Sequence, residues 1–142
     1  MPSSDIPHWD DVRSVPVLTD DQAVVLMRPL LTSAIRRQFW VLFLDEWACP
    51  LPLLMPMALP PRPGVLGPAL GVFLAEMGRA EGASGVVVAF ERLGGPEIRD
   101  ADRPWLRAIH TACVSSGLAF RRPLLCHSFG VTSVPEGEYL SR

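Results

Sequence analysis

Apolar residues fall along this chain in two alternating periods, and each switch marks a boundary. Residues 1–18 carry three prolines and hold no period, so they read as an irregular arm. Thr19-Asp20-Asp21-Gln22 has capping-box spacing, which predicts a short helix from about residue 20 that ends near Pro29. "RRQFWVLFLD" (36–45) is a continuous aromatic and aliphatic run, as in a strand covered on both faces. "LPLLMPM" (51–57) returns as a second strand; Pro52 and Pro56 share one parity, which suits a sheet edge. After the breaker "PPRPG" (60–64), Leu70, Phe73, Leu74 and Met77 form one helical stripe, with Pro68 in the first turn and Gly82 and Gly85 as stops. "GVVVAFERL" (85–93) is a β-branched, buried strand. A second long helix runs from about Asp102 to Ser116, with Trp105, Ile109, Ala112 and Cys113 on its inner stripe. "RRPLLCHSFGV" (121–131) closes as a strand.

The order α-β-β-α-β-α-β predicts one α/β domain over 19–142, a central mixed sheet with helices packed on it. A chain of 142 residues with 49% hydrophobic content can bury a core of that kind.

Charge narrows the function classes. The net charge is −2, so no whole-molecule field draws in nucleic acid or an anionic membrane. All 13 basic residues are arginine and there is no lysine, which excludes Schiff-base chemistry. Lysine and asparagine are both missing and both use A-rich codons, so the arginines reflect GC-rich coding bias. The N-terminus lacks a basic-then-apolar signal pattern, and the longest apolar run, 39–44, is far too short to span a bilayer. Three cysteines without a CxxC pair fit a reducing compartment. The expectation is a cytoplasmic protein with no cofactor, no nucleic-acid partner and no membrane.

Candidate chemistry concentrates in residues 86–105. Glu91 lies near the strand end, Glu97 and Asp100 in the glycine loop, and Asp102 at the helix start. Such carboxylates can do general acid–base work or hold a metal. They also read as a helix cap at Asp102 with solvated loop acids neutralised by Arg92, Arg99 and Arg103. His110 and Cys113 share a helix face at i, i+3, but no further zinc ligands are spaced for them. Cys126 and His127 are strand neighbours that point to opposite faces and cannot form a dyad. The pairs Arg36-Arg37 and Arg121-Arg122 bracket strands and could grip an anion or lie solvated. "RLGGPE" has neither a phosphate-loop lysine nor GxGxxG spacing, and no serine sits in a nucleophile elbow.

These elements resemble the RadC-like branch of the JAB/MPN metalloprotease-fold family. "FWVLFLDEWACPLPL" is similar to that family's opening strand and hairpin. "GVVVAFERLGGPEIRDAD" takes the place of its metal-binding segment, HxHPxG followed by a proline and SxxD, with Gly94, Pro96 and Asp102 matching. "GLAFRRPLLCHSFGV" resembles the late strand, where the family carries Asp-His. The resemblance covers about residues 36–131 and implies a JAB/RadC-like topology. The family's two zinc histidines fall on Ala89 and Glu91, its serine falls on Arg99, and the first hairpin places no obvious glutamate base. Catalytic zinc needs three protein ligands, so the resemblance implies a dismantled metal site with no metal bound.

Two functions follow as expectations: a non-catalytic binding or assembly module, or a metal-independent hydrolase or small-ligand enzyme that uses Glu91, Glu97, Asp100 and Asp102. A third reading is a generic α/β interaction domain. The uncharged stretch 51–61, with Leu53, Leu54, Met55 and Met57, is the expected contact with a protein partner or second copy. The alternative is that the N-terminal arm covers it, with Trp9 and Val12 laid across.

Overall fold

The computed structural model describes residues 15–140. The first helix, α1 (Asp20–Leu31), opens on the expected capping box: Thr19 Oγ1 accepts from the Gln22 amide while Gln22 Oε1 accepts from the Thr19 amide. It runs past Pro29 to Leu31. The proline sits one turn from the end, where a missing N–H costs only one helical bond. Of the expected arm, residues 1–14, including Trp9 and Val12, lie outside the described residues. Residues 15–18 precede α1 without regular structure, and the Val17 amide donates to Ala48 O at 2.7 Å.

Strand β1 (Gln38–Leu44) pairs antiparallel with β2 (Pro50–Ala58) on one side and with β3 (Gly85–Glu91) on the other. Helix α2 (Pro63–Glu81) begins earlier than the stripe predicts. Pro63 takes the favoured first-turn position expected of Pro68, which sits inside the helix. After β3 come α3 (Arg103–Ser116), β4 (Ala119–Phe120), β5 (Leu124–His127) and β6 (Gly130–Ser133). The single closing strand expected over 121–131 is thus two antiparallel strands, β5 and β6, with the short β4 just before them. Arg121-Arg122-Pro123 separates β4 from β5, which lie in turn along the same edge of β3, both parallel to it. Gly130, at φ 144°, then begins the returning strand β6.

The result is one α/β domain with a six-stranded mixed sheet ordered β2-β1-β3-β5-β6. Alternation along the strands gives two cores. Phe39, Val41, Phe43, Val86, Val88 and Phe90 face α2 and α3; Leu42, Leu44, Val87, Ala89, Leu124 and Cys126 face α1. Helices α2 and α3 pack closely because small residues meet between them. A Cβ on Gly71 would lie 2.5 Å from Ser115 Oγ and 3.6 Å from the Ala112 backbone. None of the described helices is long and apolar enough to cross a membrane.

Candidate functional site

β3 and β5 run parallel and end side by side, with Glu91 in register with Cys126. The outer ends of such strands are where α/β sheets commonly hold ligands. The loop 92–102 leaves from here and reaches α3.

Side-chain parity divides the carboxylates that the sequence groups together. Glu91 continues the row Val87-Ala89 and faces α1, whereas Arg92 continues Val88-Phe90 and faces α3. Glu91 and Asp102 therefore belong to opposite faces of the sheet. Glu91, Arg92 and Asp102 are each 2% exposed, and His127 is 4% exposed.

On the α1 face, Glu91 Oε2 accepts from the amides of Ile35 (2.7 Å) and Arg36 (3.1 Å). Its Oε1 accepts from Gln38 Nε2 (2.9 Å) and Trp40 Nε1 (2.6 Å). Burial alone would push this carboxyl up, but the four N–H donors outweigh it and hold Glu91 below its usual range. The ionised group is saturated by scaffold donors and has no lone pair turned to a substrate.

On the α3 face, Arg92 Nη2 and Asp102 Oδ2 form a buried ion pair at 2.9 Å. Asp102 Oδ2 also accepts the Arg99 amide at 2.9 Å. The expected helix cap is absent: Asp102 already has helical φ and ψ, and its side chain makes no cap bond. Its carboxylate turns inward because a buried guanidinium needs a counter-charge more than the helix end needs an acceptor.

Glu97 and Asp100 are exposed, and Asp100 pairs with Arg103. Gly94 has φ 113°, a backbone conformation that favours glycine, and the exposed Arg99 guanidinium lies over the space a Cβ would take. The Gly94 amide donates to Ser128 Oγ (2.8 Å), and the Ser128 amide returns a bond to Gly94 O (2.9 Å). That clasp ties the loop to the β5–β6 turn.

His127 sits in this layer. Its Nδ1 accepts from the Phe129 amide at 3.1 Å, and its Nε2 is buried with no partner among the described residues. Burial first, then the neighbouring Arg92, hold the imidazole below its usual range, against a smaller opposing pull from Glu97. It is therefore neutral at pH 7, and Nε2 carries the proton.

The remaining cysteine and histidine candidates are structural. His110 Nδ1 lies 3.0 Å from the Tyr139 hydroxyl, not on a metal with Cys113. Burial pushes the thiols of Cys113 and Cys126 up to about 12, the latter with help from Glu91, so neither is a nucleophile at neutral pH. Arg37 stacks over Phe90 and Trp105 at 5.7 and 5.8 Å from the ring centres, while Arg122 pairs with Asp20; the two arginine pairs do not converge.

The zinc positions of the resembling family do not fit a metal here. Ala89 offers no donor atom, Glu91 spends both oxygens on the scaffold, and Asp102 is neutralised by Arg92. Among the described residues, no group of three or more His, Cys, Asp or Glu side chains could hold a metal ion.

A second feature lies beside β2. Met57, Leu59, Val65, Ala69 and Phe73 rim an apolar cleft of about 340 Å³ floored by Phe39, Leu66 and Leu70. Of the expected contact residues, Met55 and Met57 lean on the α2/α3 core and Leu54 on the α1 core; all of them, with Leu53, are half-buried. Pro56 lies opposite Trp40. Lacking an N–H, it must occupy a non-hydrogen-bonded pair, so its ring points out along the free edge between Leu54 and Ala58. That ring closes the edge to an added strand and leaves the side-chain cleft as the accessible contact.

Sequence reasoning named Arg92 only as a local neutraliser of the loop acids, not as a buried partner of Asp102, and missed Gln38, Trp40 and Ser128. Parity carried the signal for two groups: a charge at position 91 or 92 extends a row of inward-facing residues and must be paired. Comparison with known proteins adds nothing to the geometry: no family model, curated protein or solved structure matches the chain.

Proposed function

We propose that the protein is a non-catalytic cytoplasmic binding or assembly module on a degenerate JAB/RadC-like fold, and that it contacts a protein partner through the cleft between β2 and α2. The cleft is the observation that carries this reading. It is apolar, open and large enough for one or two bulky side chains. No charge interrupts residues 47–61 along its strand wall. The adjacency of β1 and β3, the mixed sheet, and the place of Gly94 and Asp102 support the fold assignment. The enzymatic alternative lacks its cluster, because the two buried carboxylates face opposite ways and are fully bonded.

Ala69 is exposed on the cleft rim, so Ala69→Arg puts a charge into the cleft without entering the core. Stability in urea should change by no more than about 0.5 kcal/mol. Co-purification and sedimentation velocity should show the partner, or the second copy, released by the variant. Association that survives Ala69→Arg would place the interface elsewhere. One equivalent of zinc per wild-type chain, lost on Asp102→Ala, would overturn the non-catalytic assignment.

A further inference from the structure

The acceptor oxygens around Arg92 converge as ligands do on a cation. Nε reaches Asp102 Oδ1 and Oδ2 at 3.1 and 3.2 Å, and Nη2 reaches Oδ2 at 2.9 Å. Nη1 donates to Gly95 O at 2.6 Å and Leu93 O at 3.4 Å, and Nη2 donates to Glu97 O at 2.8 Å. One carboxylate and three carbonyls from a single loop thus surround one planar cation. Oxygen sets of this kind hold ions elsewhere, and the fork geometry of a guanidinium matches this one. Arg92 is itself 2% exposed, so little of the group's hydration survives and the loop must replace it.

We propose that the β3–α3 loop is a guanidinium-binding cage whose resident ligand is the chain's own Arg92. The tethered cation organises residues 93–102 in the place where the resembling family uses a metal, with Asp102 as its counter-charge. The cage is balanced at one positive charge. His127, whose Nε2 finds no acceptor, stays neutral against it and adds no second cation. The loop and its clasp on Ser128 therefore need no metal to be ordered, whether or not a partner uses the β2 cleft.

Removal of the side chain should leave a cage that takes guanidinium from solution. Arg92→Gly should lower the melting temperature on the order of 10 °C, because Asp102 is left buried and unpaired. Millimolar methylguanidinium should restore most of that loss saturably, whereas sodium chloride at equal ionic strength should not. Arg92→Gly combined with Asp102→Asn should show no recovery. Arg92→Lys, which keeps the charge and loses the fork, serves if the glycine variant does not fold. Its Arg99 amide, held by Asp102, should exchange with solvent on the order of tenfold faster than in the wild type. The proposal is overturned by recovery that sodium chloride reproduces, by a glycine variant as stable as the wild type, or by an Arg92→Lys loop as protected as the native one. A wild-type melting temperature that rises with zinc or falls with chelator would overturn it as well.

Discussion

At the carboxyl end of β3, the buried charges are saturated. Glu91 is gripped by four N–H groups and Arg92 by a carboxylate and three carbonyls. Along β2 the reverse holds. From Trp47 to Pro61 there is no charge, and the side chains are left half-covered beside an open cleft. The polar region resembles an active site, yet each buried charge that costs free energy to desolvate has been matched internally, and only the neutral His127 Nε2 lacks a partner among the described residues. The plain region costs little to leave exposed and is the one that stays free. An abundance of titratable residues is thus a poor guide to which surface of this molecule is left uncommitted.

The contrast predicts large stability losses at β3. Asp102→Ala should be the largest, about 3–5 kcal/mol by chemical denaturation, since it strands Arg92 in the core. A loss near 1 kcal/mol, the size of a missing helix cap, would mean that Arg92 finds water and that the saturated picture is wrong. Glu91→Ala should cost roughly 3 kcal/mol, because donors on Ile35, Arg36, Gln38 and Trp40 lose their acceptor together. Glu91→Gln sharpens the point: it keeps the size, drops the charge, and turns an NH₂ toward N–H groups, so it too should destabilise.

Acid should act on the same region more gently. Folding holds His127 below its ordinary value of 6.5 and Glu91 below 4.5. The unfolded chain then binds more protons than the folded one, so both contributions are complete above those values and are lost as pH falls. Stability measured against pH should decline first from about 6.5. It should decline again below about 4.5. His127→Gln, which cannot titrate, should flatten the first decline. An unchanged profile in that variant would show that His127 is not the group responsible.

Much of this architecture was legible in the residues. The aromatic run at 39–44 marked a strand buried on both faces, the capping box marked α1, and Pro56 marked the edge. What was not legible depended on long-range placement. Nothing local says that Trp40 turns its indole N–H to a carboxylate 51 residues away, or that Asp102 faces a buried arginine instead of its own helix. The closing segment differs from the single strand that its apolar run predicts, because Pro123 precedes β5 and Gly130 turns the chain into β6. The JAB/RadC-like resemblance rests on three loop positions. One of them, Gly94, has a physical reason to be glycine in this chain regardless of ancestry: its φ of 113°.

The bonds from Ile35 and Arg36 to Glu91, together with the Ala34 amide on His127 O, lace the chain before β1 across the ends of β3 and β5. The β1–β2 hairpin and the α2/α3 pair are made of nearer neighbours and close smaller loops, so they are the natural early events of folding. The lacing requires β3 and β5 already to lie side by side, and β5 follows only after α3 has crossed over. It is therefore a late event, and weakening it should leave the rate of folding almost untouched while the native state opens faster. The seam at the end of the central strand should therefore govern how long the folded domain persists.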